Sequence, residues 1–146
     1  MRQSLMRIGP ILLGVAGMVA CGGGDSTAPP SVLVGSYNAV QFVTTGSSGQ
    51  TNQILAGSTL SINLMPNGTT TGHLHMAASG GNTAFDADMA GTWTQTGNSV
   101  IFSQAADSFV RNITWAVAAA GSSWQLEGDG VFSGTRTQVT LSQVTL

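Results

Sequence analysis

The sequence predicts an all-β fold, an eight-stranded antiparallel up-and-down barrel, preceded by a signal peptide and a flexible tether. Three observations predict it. From Val32 onward apolar residues alternate with polar ones and show no helical period. Turn signals such as Asn67-Gly68, Gly97-Asn98 and Gly121-Ser122 recur at the roughly 8- to 12-residue spacing of a sandwich or barrel. Thr, Ser, Gly and β-branched residues dominate, which suits strands and tight turns.

The first element is the N-terminal segment. Arg2 and Arg7 precede an apolar run over residues 8–19, with no acid among them. That run is shorter than the roughly 17–25 residues of a membrane span and reads as a secretory signal. Met18-Val19-Ala20-Cys21, followed by Gly22-Gly23-Gly24-Asp25-Ser26, resembles the lipobox of bacterial lipoproteins, with Met18 where leucine is usual. The resemblance implies cleavage before Cys21, a diacylglyceryl group on its thiol and acylation of the new amino end. The membrane, reached through that lipid anchor, is then a partner. Gly22 rather than Asp after the cysteine implies, by lipoprotein sorting rules, the outer membrane. Cys21 is the only cysteine of the 146 residues, so no intrachain disulfide can form. Residues 22–31 are rich in Gly, Ser and Pro and read as a tether spanning roughly 17 Å as a random coil. The expected organisation is a signal peptide over residues 1–20, a lipidated cysteine and linker over 21–32, and a barrel domain over 33–146.

The barrel strands are expected at roughly 34–44, 57–65, 69–77, 85–96, 99–104, 109–118, 123–132 and 136–145. Loop length decides which residues share a face. A two-residue turn at Gly97-Asn98 pairs Trp93 with Phe102 and Gln95 with Val100. One at Gly121-Ser122 pairs Val117 with Leu126 and Trp115 with Gly128. The inward set is then Phe85, Met89, Trp93, Phe102, Phe109, Ile113, Trp115, Val117, Trp124, Leu126 and Phe132. Gly35-Ser36-Tyr37, Leu60-x-Ile62-x-Leu64-x-Pro66-Asn67-Gly68-Thr69 and Gly91-Thr92-Trp93 resemble the lipocalin-like domains of secreted bacterial proteins, over roughly residues 33–145. Three features depart from classical lipocalins. Tyr37 stands where they carry tryptophan, Arg136 sits at the start of the last strand, and a C-terminal helix is absent.

An eight-stranded barrel either fills its interior or holds one small ligand. The resemblance implies a small hydrophobic or amphipathic ligand, and the residues expected to line its site are Tyr37, Leu60, Ile62, Phe85, Met89, Trp93, Phe109, Arg111, Ile113 and Trp115. Arg111 alternates with Phe109 and Ile113 and is expected inward, at the mouth or on an anionic head group. The alternative is a structural or protein-interaction module of the cell envelope with a filled core. Ile54 and Leu55 separate the two: both face inward in a carrier and outward in an interaction module.

Other chemistries find little support. The chain has no lysine, and beyond residue 20 two arginines stand against six acids, so no run of phosphates can be neutralised and nucleic acid is not expected as a partner. No serine elbow, phosphate loop or metalloprotease motif occurs, so neither an enzyme nor a cofactor is expected. His73 and His75 share one strand face. A two-residue loop at Asn67-Gly68 would pair His73 with Ile62 and turn both histidines inward, where they could begin a zinc site. A three-residue loop at Pro66-Asn67-Gly68, which proline and glycine at those positions favour, pairs Leu60 with Leu74, buries Leu74 and Met76 and turns both histidines to solvent, so no metal site is expected. Asp86 with Asp88, and Glu127 with Asp129, are expected to solvate the outer face.

Overall fold

The computed structural model describes residues 31–79 and 83–145. Cys21, the expected signal peptide and most of the expected tether lie outside the described residues. A 3-10 turn over Ser31–Leu33 leads into the strands β1 (Gly35–Gly46), β2 (Gly49–Asn52), β3 (Thr59–Leu64), β4 (Thr69–Met76), β5 (Phe85–Asp88), β6 (Gly91–Thr96) and β7 (Ser99–Gln104). A single helical turn, α1 (Phe109–Asn112), precedes β8 (Trp115–Ala120), β9 (Ser123–Phe132) and β10 (Thr135–Gln143). β5 and β6 both pair with β4 and act as one interrupted stave. Pairing of β10 with β1 closes eight antiparallel staves into a barrel. The short β2 lies off the ring as a hairpin extension of β1.

The registers follow from turn chemistry. Gly97 and Gly121 adopt φ of 58° and 62°, which a glycine at the first central position of a two-residue hairpin turn reaches without steric cost. Trp93 accordingly faces Phe102, and Val117 faces Leu126. The Pro66-Asn67-Gly68 loop pairs Leu60 with Leu74, leaving His73 exposed and His75 half-exposed on the outer face.

Two local features depart from simple alternation. A bulge between Ala39 and Gln41 reverses the parity of β1. Tyr37 and Phe42 are therefore both buried, and Val40 is turned out. The expected strand at 109–118 is also corrected: residues 109–112 form α1, and strand geometry begins only at Trp115. Four residues of helix cannot keep the two-residue alternation that put Arg111 beside Phe109 and Ile113.

The described connecting residues 47–58, 77–79, 83–84, 105–114 and 133–134 gather at one end of the barrel. The opposite end carries the turns at 65–68, 97–98 and 121–122 and both ends of the described chain. That second end is closed. Leu33 is buried in it, and the Tyr37 hydroxyl donates to the Leu33 carbonyl at 2.9 Å. Gln143 ties the entering chain to the seam: its Nε2 donates to the Val34 carbonyl at 3.1 Å, and its Oε1 accepts from the Trp124 amide at 3.2 Å. Trp93, Trp115, Phe102, Ile62, Leu126 and Leu141 fill the interior above it. Phe102 meets Trp115 edge-on with centroids 5.8 Å apart, a favoured aromatic geometry.

Candidate functional site

The packed core stops short of the loop-bearing end. There a cleft of about 310 Å3 opens between β4, β5, α1 and the β9–β10 hairpin. Leu74, Met76, Phe85, Phe109 and Phe132 form its apolar wall. Strand alternation delivers Leu74 and Met76 from β4 and Phe85 from the facing β5, where Phe85 pairs with Met76. Phe109 comes from α1 and packs on Phe42 with centroids 5.3 Å apart, so it is both roof of the core and wall of the cleft.

The opposite wall is polar and uncharged, formed by Thr44, Gln53, Thr135 and Thr137 among others. Gln53 is a buried polar plug beneath the first connection. Its Nε2 donates to Thr44 Oγ1 at 2.7 Å, its Oε1 accepts from Ser58 Oγ at 3.0 Å, and its backbone amide donates to the Phe42 carbonyl. All its side-chain polarity facing the protein is therefore spoken for. Ser108 differs. It occupies the N-cap of α1 in extended conformation yet makes no side-chain cap bond. Its Oγ is buried against the cleft without a protein partner.

The ten residues expected to line a ligand site divide sharply. Tyr37, Leu60, Ile62, Met89, Trp93, Ile113 and Trp115 are enclosed in the packed core. Only Phe85 and Phe109 line the cleft, and Phe85 is 42% exposed at its rim. Arg111 does not point inward. On α1 its guanidinium reaches Asp107 at 2.8 Å and the carbonyls of Gln104 and Ala105 at 3.4 and 3.3 Å, clamping the loop before the helix. The first connection splits between its two expected arrangements: Ile54 packs partly buried on the core, and Leu55 is 86% exposed. Met76 was expected inward with Leu74, but the cleft residues Ser108, Thr135 and Thr137 escaped the sequence reading. The unusual run Ala105-Ala106-Asp107-Ser108 before Phe109 was the available signal, since it interrupts alternation with a helix-capping residue type.

On the outer face, the β4–β5 register sets His73 opposite Asp88 and His75 opposite Asp86. His73 Nε2 lies 3.0 Å from Asp86 Oδ1, and its Nδ1 lies 3.4 Å from Asp88 Oδ1. His75 Nδ1 lies 2.8 Å from the same Asp86 oxygen. A ring bonding carboxylates through both nitrogens must donate from both, which is the imidazolium form. The bonds to Asp86 and then Asp88 raise the His73 pKa, and those from His75 and then His73 lower that of Asp86. Among the described residues no group of three or more His, Cys, Asp or Glu is arranged to hold a metal ion. The last acid pair is also split: Asp129 binds Arg136 through two contacts of 2.9 and 2.6 Å, while Glu127 stands exposed.

Comparison of the chain with protein-family models, with curated proteins and with solved structures finds no match.

Proposed function

We propose that this chain is a lipid-anchored envelope protein whose barrel is a non-enzymatic binding domain, lipocalin-like in design, for a small hydrophobic or amphipathic ligand. The observation that carries the reading is the cleft at the loop-bearing end, where an apolar wall of Leu74, Met76, Phe85, Phe109 and Phe132 stays open although the rest of the interior is packed. Its volume of about 310 Å3 falls at the small end of the roughly 300–1,000 Å3 range of ligand pockets. The ligand is therefore short, and it sits in the mouth rather than deep in the barrel.

The described chain enters at the closed end, so an anchor at Cys21 attaches the domain by the end opposite the mouth. Radiolabelled palmitate is expected to enter the parent protein and not Cys21→Ser; a parent protein that takes up no label would refute the anchor.

Ligand binding is tested by uptake of the neutral dye N-phenyl-1-naphthylamine. Phe85 is partly exposed, so Phe85→Asp brings a charge to the cleft without burying it in the core. The variant is expected to bind the dye roughly tenfold more weakly, a loss of about 1.4 kcal/mol. Equal affinity in the variant, or no uptake by the parent protein, would overturn the assignment. The second reading, an interaction module with a filled core, draws on Leu55, which projects into solvent from the loop above the mouth. It predicts no dye uptake and loss of an envelope partner in Leu55→Ser.

A further inference from the structure

Resting on the ligand-binding reading above, we infer that the mouth is a two-part site for an electrically neutral amphiphile, with an apolar body in the cleft and a hydroxyl- or amide-bearing head beside it. Next to the cleft lies a second hollow of about 370 Å3. The two are continuous, for Thr44, Gln53, Ser79, Ser133 and Thr135 border both. Their chemistry differs. The cleft has the five large apolar side chains already named. The hollow has none among its described residues; besides the shared residues only Ser, Thr and Gly line it, Ser47, Ser48 and Thr51 supplying hydroxyls. A molecule filling both must be apolar at one end and rich in hydrogen-bonding groups at the other.

The head carries no charge, because the site offers nothing to pair with one. Among the described residues no Asp, Glu, His, Lys or Arg borders either hollow. The two arginines among the described residues are engaged elsewhere, Arg111 with Asp107 and Arg136 with Asp129. A carboxylate, phosphate or ammonium head seated in the hollow would give up part of its hydration without gaining a counter-charge, which is unfavourable. A hydroxylated head exchanges water for serine and threonine hydroxyls, which both donate and accept, and loses little. A neutral glycoside of a short alkyl chain is the simplest molecule of this class.

The test uses the full chain in lipid nanodiscs, with methyl-labelled methionine and sub-micellar octyl glucoside, octanoate or octyltrimethylammonium. Empty nanodiscs correct for partitioning. Met76 lines the cleft and reports occupancy there; its resonance is assigned with Met76→Leu. Octyl glucoside is expected to shift the Met76 signal with a Kd at least tenfold lower than either charged probe. Thr135→Val, which removes a shared hydroxyl at nearly constant volume, is expected to weaken octyl glucoside several-fold and leave octanoate unchanged. Equal or tighter binding of a charged probe overturns the neutral-head inference while the binding site itself stands. Silence of Met76 toward all three overturns both.

Discussion

At the scale of single residues, the barrel interior depends on side chains that are absent as much as on those present. Gly128 and Gly130 face inward on β9, directly beneath Trp115 and Ile113. A Cβ at residue 128 would lie 2.6 Å from Ile113 Cδ1 and 2.9 Å from Trp115 Cε3. Trp115 is fully enclosed and hydrogen-bonded through Nε1 to the Val110 carbonyl at 3.0 Å, so it cannot yield. Gly128→Ala is therefore expected to destabilise the protein by about 1–3 kcal/mol through overpacking. Ile113→Val removes the Cδ1 in the way, and in the double variant part of that loss should return. Urea unfolding of the four proteins checks this, and strict additivity would show that the clash is relieved some other way. Tyr37 shows the complementary case. Burial pushes its phenol up to about 12, consistent with a neutral hydroxyl spent on the Leu33 carbonyl.

At the scale of elements, the β4–β5 pair links sequence, register and pH. Its four titratable side chains stand on the outer face, so their contribution is electrostatic and solvent-screened. His73 has a raised pKa, so its share of stability is complete below the ordinary 6.5 and is lost as pH rises through the raised value. Asp86 has a lowered pKa, so its share is complete above the ordinary 3.8 and is lost as pH falls through the lowered value. The pair is thus at full strength between those two ordinary values and weakens on either side. An NMR titration of the His73 ring is expected to show a midpoint above 6.5 that falls in Asp86→Asn. A midpoint indifferent to that substitution would mean the cross-strand contact does not form in solution. The contact was not legible beforehand, because the sequence shows each pair's shared face but not which residues of the two strands lie opposite. The connection over 77–84 is too long for turn chemistry to set that register, unlike Gly97-Asn98.

At the scale of the whole molecule, closure is the decisive event. β10 returns to β1 so that Tyr37 pairs with Gln143 and Thr45 with Arg136, contacts between opposite ends of the domain. Such non-local pairing makes folding slow, in the millisecond-to-second range typical of all-β domains. Refolding of the full chain followed by fluorescence of the buried Trp93 and Trp115 is expected to fall in that range. Submillisecond recovery of native fluorescence would argue that the core forms before the barrel closes. Closure also removes sheet edges, which a chain without a disulfide has particular reason to protect.

The sequence by itself determined the eight staves and the two tight-turn registers, and it favoured the three-residue loop at Pro66 with outward histidines, which the β3–β4 register then decided. Each rests on local rules: a two-residue side-chain period, and glycine where a turn requires positive φ. It also determined that the barrel must hold without a disulfide, since Cys21 is the sole cysteine. Only the tertiary structure decided which inward residues face other side chains and which face a cleft. Alternation says that Trp93, Met89 and Phe109 point inward, but not that the first two are packed away while Phe109 remains at an opening. That depends on where loops distant in sequence meet at the mouth. It depends too on α1, which breaks the alternation and turns Arg111 from a ligand's counter-charge into a clamp on Asp107. The expected fold survived because it is a sum of local preferences. The expected site was redrawn because a cavity is a property of packing, which no local pattern contains.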